Sequence, residues 1–218
     1  MKVDASEYEG WWYEGGGIYR HTWLIKTNKL HVARFGTYVT TPSISSEQAI
    51  VNISTLLKNE NKTGKDVTLI SKITDNKGVV LDTKTSTLSI KPFSQKEITQ
   101  KGNIQKPLLW SPETPNLYKV FTEVLEKGNI VDTYETTFGV RTIEFNRNGF
   151  FLNGKLYPIK GTANHQDFAG IGVVLPDKIN AYKIKLLKEM GSNAYRSAHN
   201  PPTPELLDIC DSLVACLS

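Results

Sequence analysis

Cysteine is scarce in this sequence, and its absence from most of the chain excludes a disulfide framework. The two cysteines, Cys210 and Cys216, lie close together near the C-terminus. Small proteins that depend on disulfides instead spread several cysteine pairs along the chain. Histidine is sparse as well, with four in 218 residues. His165 and His199 have no third partner at the spacing of a zinc site, so we expect no metal site and no cofactor.

Long apolar runs are missing, as are blocks of like charge. No stretch approaches the roughly 18 to 20 apolar residues that a membrane-spanning helix needs, and the start MKVDASEYEG has no apolar signal-peptide core. The 26 basic and 22 acidic residues give a net charge of +4 and are interspersed, as with Lys72 and Asp75. Such a distribution is typical of a solvated surface. We therefore expect a soluble chain with no membrane and no nucleic-acid partner, and the sequence leaves its compartment open between cytoplasm, periplasm and secretion.

What the sequence does contain is a regular alternation of apolar and polar residues between residues 43 and 141. In the run QAIVNISTLLKN, one face carries Ala49, Val51, Ile53, Thr55 and Leu57. Turn-forming stretches such as NENKTG and EKGN separate this run from similar ones. Strands of about five to ten residues with no helical segment between them favour an antiparallel sandwich of the immunoglobulin-like kind. We place this domain at residues 43–142.

The pattern changes after Arg141. Two Asn-Gly turns, at Asn148 and Asn153, predict a small hairpin that leads into an apolar strand at residues 157–160. A helix is predicted next, because apolar residues recur at helical spacing and Gly191 suits the position beyond a helix C-terminus. The apolar residues concerned are Ile179, Tyr182, Leu186 and Met190.

A second strand and a second helix complete the sequence. NAYRSAH predicts the strand, and Thr203 as N-cap with Pro204 in the first turn predicts the helix. Strand, helix, strand, helix is the opening of a parallel α/β fold. These units are too few for a barrel, which needs eight strand and helix pairs, so we expect the start of an incomplete (β/α)8 barrel.

Candidate functional residues follow both predicted parallel strands. Asn164, His165 and Asp167 follow the first strand, and Arg196, His199 and Asn200 the second. In α/β barrels, the side chains at the C-terminal ends of the strands converge on one pocket. The alternative is structural: the histidines are ordinary loop residues, and Arg196 pairs with Asp167 or Asp177.

The aromatic and glycine-rich stretch GWWYEGGGIYR also has two interpretations. Its aromatic residues could form a platform that stacks on sugars, or a corner packed between domains. We favour the packed corner, because a platform would leave a large apolar area exposed.

Four stretches together resemble glycoside hydrolase family 2, the family of β-galactosidases and β-glucuronidases. They are EGWWYEGGGIYRHTWL, LWSPETPNLY, FGVRTIEFNRNGFFLNGKLYPIKGTANHQD and LLKEMGSNAYRSAHNPPTPELLDICDSL, and they run in the order in which the family has them. The resemblance implies a jelly-roll sugar-binding domain, an immunoglobulin-like sandwich and a (β/α)8 catalytic barrel. This mainly β chain would then hold the end of the jelly roll at residues 1–42, the sandwich at 43–142 and the start of the barrel at 143–218.

The resemblance also implies an activity and a set of roles. Family 2 enzymes are retaining exo-β-glycosidases that use two glutamates about 5 Å apart, and these come from later barrel strands that have no counterpart here. His165 and His199 match histidines that hydrogen-bond to sugar hydroxyls. Arg196 matches an arginine that positions the catalytic carboxylates. Asp167 would orient His165, and Asn164 would support the same edge of the sheet.

We therefore expect a fragment of a β-galactosidase that has no activity alone, with a β-galactoside or a related carbohydrate as its substrate. The alternatives are a β-glucuronidase or β-mannosidase fragment, and a non-catalytic immunoglobulin-like module that mediates contacts. The tail from Val214 to Ser218 departs from the family pattern, which indicates truncation or a replaced end. Unpaired strand edges of a partial barrel also favour a homo-oligomer.

Overall fold

The computed structural model describes Lys2, Asp4, Ser6, residues 17–213 and the backbone of residues 215–217. The chain divides into two compact units, one of residues 25–158 and one that joins residues 1–24 to residues 159–218. The corner predicted around Trp11, Trp12 and Tyr13 lies outside the described residues, as do Val214 and Ser218 of the tail.

The first unit contains an antiparallel sandwich of a three-stranded sheet and a four-stranded sheet. The strand orders are β1-β2-β5 and β4-β3-β6-β7, and every pairing between neighbouring strands is antiparallel. This arrangement confirms the predicted immunoglobulin-like fold class. The strands are β1 (Leu30–Ile44), β2 (Gln48–Asn59), β3 (Lys65–Thr74), β4 (Val80–Ile90), β5 (Ser94–Gln105), β6 (Leu117–Glu126) and β7 (Asn129–Gly139).

The core of the sandwich is built from the alternating residues that the sequence singled out. Along β2, every second residue from Ala49 to Asn59 is buried and the residues between them are partly exposed. Ile53 of β2 packs in one cluster with Ile73 of β3 and Val120 of β6, so the two sheets share this core. Period-two burial is what a strand with one face inward requires.

The sandwich begins earlier than the predicted boundary at residue 43. β1 pairs with β2 from Leu30 to Ile44, and Leu30 and Val32 are buried beside Leu57 of β2. The assignment of residues 30–42 to a jelly-roll domain was therefore wrong, because their inward side chains fill the sandwich core. For residues 1–29, the jelly-roll assignment stays a prediction, and residues 17–29 form no strand.

A short hairpin sheet follows the sandwich in the same unit. It consists of β8 (Ile143–Asn146), β9 (Gly149–Leu152) and β10 (Lys155–Leu156), in the order β10-β9-β8. Asn153 and Gly154 have φ of 52° and 73°, the left-handed conformation that an Asn-Gly turn adopts readily. Asn153-Gly154 is therefore the predicted two-residue turn between β9 and β10. The turn between β8 and β9 is instead Arg147-Asn148, because Gly149 pairs with Asn146 as the first residue of β9.

The second unit has the predicted parallel α/β order. Its strands and helices alternate along the chain as β11 (Gly161–Asn164), α1 (Asp177–Glu189), β12 (Ala194–Ser197), α2 (Pro204–Leu213) and β13 (Ala215–Leu217). The three strands form a parallel sheet in the order β11-β12-β13. The Thr203 hydroxyl accepts a hydrogen bond from the Leu206 N–H at 3.3 Å, as expected of an N-cap. None of the helices in the described residues is long and apolar enough to cross a membrane.

The first parallel strand lies later than predicted, at Gly161–Asn164 instead of residues 157–160. The apolar residues before it serve the hairpin: the Tyr157 N–H donates to the Phe150 carbonyl at 2.8 Å, and the two rings meet edge to face. Gly161 allows the close approach of β11 to β12, because a Cβ atom there would lie 2.9 Å from the Ala194 carbonyl oxygen.

The predicted apolar stripe of α1 is not the face that the helix buries. Ile184 is the buried residue of α1, and it packs with Tyr195 of β12 and with Leu206 and Cys210 of α2. Three residues of the predicted stripe are instead exposed, namely Tyr182 (50%), Leu186 (43%) and Met190 (68%). Leu187, three residues after Ile184, packs against the same cluster. Apolar residues therefore recur at helical spacing on this face too, and the period alone could not choose between the two faces.

Candidate functional site

The candidate site lies at the C-terminal edge of β11 and β12. The two strands are parallel and in register from Gly161 opposite Ala194 to Asn164 opposite Ser197. Beyond the strands, the Ala198 N–H donates to the Asn164 carbonyl at 3.0 Å. The segments that carry His165 and His199 therefore leave the sheet side by side, as the sequence predicted for strand ends in a parallel sheet.

The structure brings the two candidate histidines together. The rings of His165 and His199 have centroids 5.5 Å apart and planes inclined by 81°. His165 is half-buried, whereas His199 is exposed. A neutral imidazole offers one N–H donor and one acceptor nitrogen. Two adjacent imidazoles can therefore bind neighbouring hydroxyl groups of one ligand.

Arg196 lies on the open face of the sheet, opposite Ala163 of β11. It forms no ion pair with a carboxylate in the described part of the chain. Asp177, one of the two partners that the structural interpretation proposed for it, instead binds His21, whose Nε2 lies 3.1 Å from each carboxylate oxygen. The Arg196 side chain thus extends from the exposed face of the strand.

The loop that carries His165 is held by Lys183, a residue that sequence reasoning missed. Its Nζ donates to the backbone carbonyls of His165 and Asp167, both at 3.0 Å. Burial lowers the pKa of Lys183, and the negative charge of Asp167 offsets part of that effect. Lys183 immediately precedes Ile184, the buried residue of α1. A lysine beside an apolar residue of the helix was the available signal in the sequence.

The remaining candidates take different positions. Asn164 lies in register with Ser197, and its side-chain amide donates to the carbonyl and the hydroxyl of Thr162 at 2.7 and 2.9 Å. These bonds hold the end of β11 and leave Asn164 in a structural position. The Asp167 carboxylate interacts electrostatically with Lys183. Its predicted role in orienting the His165 ring stays a prediction.

A second residue that sequence reasoning missed comes from the N-terminal segment of the same unit. The Arg20 Nη2 atom donates to Gln166 Oε1 at 2.8 Å and to the Pro201 carbonyl at 2.6 Å. A pocket beside this contact is lined by Tyr19, Arg20, His21, Gln166, Val173, Leu175, Asp177, Asn180, Thr203 and Leu206. The available signal was the adjacent pair Arg20 and His21 in GIYRHTWL.

In residues 17–213, no group of three or more histidine, cysteine, aspartate or glutamate side chains is arranged to hold a metal ion. Cys210 is buried in the cluster that joins α1, α2 and β12.

Proteins of known sequence place this chain in a family. A β-galactosidase of Bacteroides ovatus is 39% identical over 215 residues, which cover 98% of this chain and 25% of that protein. A β-glucuronidase of Formosa agariphila is 33% identical over 215 residues, which cover 94% of this chain and 22% of that protein. The chain thus spans about a quarter of the length of these relatives.

Solved structures agree with these relatives. The structure of a glycosyl hydrolase family 2 member from Bacteroides cellulosilyticus matches with a TM-score of 0.89 at 36% identity, and the match covers 94% of this chain and 26% of that one. A family 2 β-glucuronidase matches with a TM-score of 0.81 at 31% identity, over 88% of this chain and 21% of that one.

The family descriptions divide the chain between the sandwich and the hairpin sheet, at residues 141–143. The description of glycosyl hydrolases family 2 matches residues 31–141, close to the sandwich from β1 to β7. The description of the TIM barrel domain of glycosyl hydrolases family 2 matches residues 143–215, which include β11, α1, β12 and α2. With its sandwich, its parallel strands and its relatives in agreement, the chain belongs to glycosyl hydrolases family 2.

Proposed function

We propose that this chain is part of a retaining exo-β-glycosidase that removes terminal β-galactosyl groups, and that it supplies part of the sugar-binding pocket. The proposal depends on one observation above all: two histidine rings meet at the C-terminal edge of the first two parallel strands. In barrels of this kind, that edge holds the substrate. The 39% identity to a β-galactosidase supports a galactoside, with a glucuronide as the second candidate.

The two imidazoles would act on the ring hydroxyls of the sugar. Each can donate one hydrogen bond and accept another, and such bonds accelerate the reaction when they tighten in the oxocarbenium-like transition state. Arg196 would stabilise the ionised form of nearby catalytic carboxylates, because its guanidinium on the exposed face of the strand is positively charged. These roles require no proton transfer by this chain.

The reacting carboxyl groups lie elsewhere in this proposal. A retaining mechanism needs an acid and a nucleophile about 5 Å apart. At the described edge of the sheet, the carboxylate is Asp167, and it already interacts with Lys183. The family resemblance implies that the two catalytic glutamates come from later barrel strands, with no matching position in these 218 residues. The chain by itself should therefore bind sugars weakly and should not hydrolyse them.

A first experiment assays the purified 218-residue chain on chromogenic β-galactosides. We expect no turnover above that of the His165→Ala chain. Hydrolysis that clearly exceeds this control would contradict the assignment of the catalytic carboxyl groups to other parts of the enzyme.

A second experiment supplies the missing groups from a relative. The 215 matching residues of the Bacteroides ovatus β-galactosidase would be replaced by this chain, and kcat/KM would be measured on a β-galactoside and a β-glucuronide. We expect galactosidase activity that falls about 5- to 150-fold with His165→Ala or His199→Ala, since a lost hydrogen bond to substrate costs about 1–3 kcal/mol.

The controls in that hybrid enzyme separate the possible outcomes. Arg196→Ala should also lower kcat/KM, and its matched control is Arg147→Ala, which removes an exposed arginine of the hairpin sheet and should leave kcat/KM unchanged. A hybrid that prefers the glucuronide would overturn the galactoside assignment. A folded hybrid with neither activity would favour a non-catalytic module.

A further inference from the structure

We propose that Arg20 is a positioning residue that ties together the two loops carrying His165 and His199. The Arg20 Nη2 atom has two hydrogens, and each has an acceptor on a different loop. One acceptor is Gln166 Oε1 at 2.8 Å, and the other is the Pro201 carbonyl oxygen at 2.6 Å. Gln166 directly follows His165, and Pro201 lies two residues after His199.

The chemistry of the contact suits a fixed link. Hydrogen bonds donated by a guanidinium are charge-assisted, and they are stronger than bonds between neutral groups. The guanidinium is planar and its hydrogens have fixed directions, so one bound acceptor sets the position of the other. A single side chain can thus hold the two loops at one separation, and with them the histidine rings 5.5 Å apart.

The segment that carries Arg20 has a second anchor in the same compact unit. His21 Nε2 lies 3.1 Å from both carboxylate oxygens of Asp177, the first residue of α1. This anchor touches neither histidine loop. Both side chains of the pair are partly exposed, with 41% and 47% exposure, so we expect the pair itself to contribute little to stability.

Lys183 provides a contrast within the same site. It binds the carbonyls of His165 and Asp167, so it holds the first loop alone. If Arg20 couples the loops, its removal should disturb both histidines. Removal of Lys183 should disturb His165 first. This difference separates coupling from a general loss of structure.

The proposal rests on the proposed function only for the claim that the two rings bind a sugar. The arrangement of the rings can be measured without a sugar. The test is NMR of the 218-residue chain with isotope-labelled histidine, read as the cross-peak between the His165 and His199 rings and as their chemical shifts. Four single histidine variants assign the signals, because the chain has four histidines.

We expect Arg20→Met to abolish the cross-peak and to shift the ring signals of both histidines, and Arg20→Lys to restore part of the cross-peak. Lys183→Met should shift the His165 signals more than those of His199. The matched control is His21→Ala, which removes the other anchor of the segment and should leave the cross-peak in place.

Two results would overturn the proposal. One is a folded Arg20→Met chain with the cross-peak and both sets of shifts unchanged. The other is a His21→Ala chain that changes as much as Arg20→Met, because the segment as a whole and not Arg20 would then matter. If Arg20→Met does not fold, Gln166→Ala decides, since it removes one acceptor and should weaken the same cross-peak. A hybrid enzyme without glycosidase activity would leave these results as they stand and would count only against the proposed function.

Discussion

The two compact units of this chain differ in how completely they enclose their apolar residues. The sandwich unit has two buried clusters that draw on both of its sheets. Among its described residues, the α/β unit has one small cluster, formed by Ile184, Tyr195, Leu206 and Cys210. On the other face of its sheet, Gly161, Ala163 and Arg196 are exposed.

The enclosed apolar core and the candidate binding residues therefore lie in different units. Side chains that alternate between two faced sheets leave little surface for a ligand, and the sandwich is accordingly closed. In the α/β unit, the parallel strands end in loops, and in barrels of this kind the C-terminal strand ends form the ligand site. The candidate binding residues lie there, at the edge of the less enclosed unit.

The largest expected effect is the loss of unfolding free energy when the same substitution is made in each of the two cores. Ile53→Ala in the sandwich and Ile184→Ala in the α/β unit each remove a fully buried isoleucine. Such changes lower the free energy of unfolding by about 2–5 kcal/mol, and the loss is smaller where the surroundings can collapse into the cavity. We expect Ile53→Ala to fall near the top of that range and Ile184→Ala near the bottom, as measured by urea unfolding together with hydrogen exchange resolved by segment. Equal losses would show that the smaller cluster is as rigid as the larger one.

A second effect tests how tightly the sandwich is packed. A Cβ atom on Gly139 of β7 would lie 2.7 Å from both Cβ and Cγ of Trp110. We expect Gly139→Ala to lower the free energy of unfolding by about 1–3 kcal/mol, because Trp110 would have to move. The matched control is Gly64→Ala, whose Cβ would lie at an ordinary 3.5 Å from the Ile90 carbonyl oxygen. Thermal unfolding in which both variants behave alike would contradict tight packing around Trp110.

The smallest effect concerns charge in the α/β unit and its dependence on pH. Burial lowers the pKa of Lys183 below its unfolded value, so the folded chain releases this proton at a lower pH than the unfolded chain does. Between the two pKa values the unfolded chain binds more protons, and stability must rise with pH in that window, which ends near the unfolded value of about 10.4. The stability of the wild type relative to Lys183→Met should therefore increase as the pH rises toward 10.

The control for this effect lies on the same helix. Lys185 is largely exposed, at 3.9 Å from Glu189, and Lys185→Met should show no comparable trend against the wild type. Unfolding midpoints at several pH values provide the measurement. If the stability of the wild type relative to Lys183→Met stays constant or falls as the pH rises, burial does not penalise the charge of Lys183.

Much of the fold could be predicted because the signals are local. A strand with one face inward must alternate, so Ala49, Val51 and Ile53 of β2 identified the core side directly. The N-cap at Thr203 and the turn at Asn153-Gly154 were equally readable, since each depends on neighbouring residues. The family resemblance, carried by whole motifs, gave the order of the domains, although the first boundary was misplaced because β1 was assigned to the jelly roll.

The rest of the candidate site depended on contacts between distant residues. Arg20 lies 146 residues from Gln166 and 181 from Pro201 in the sequence. Lys183 reaches back over 18 residues to the His165 carbonyl. No periodicity or turn rule encodes such pairs. The predicted buried face of α1 was wrong for a related reason. Two faces of the helix have apolar residues at helical spacing, and packing against the sheet determines which face is buried.

The sequence by itself determined the elements, their order and the place of His165 and His199 after successive strands, because hydrogen bonding and side-chain alternation act over a few residues. Only the tertiary structure decided that the two rings lie 5.5 Å apart, that Arg20 bridges their loops and that Ile184 faces the core. Those facts follow from how β11, β12 and α1 pack, and packing is set by the shapes of surfaces that meet only after the chain has folded.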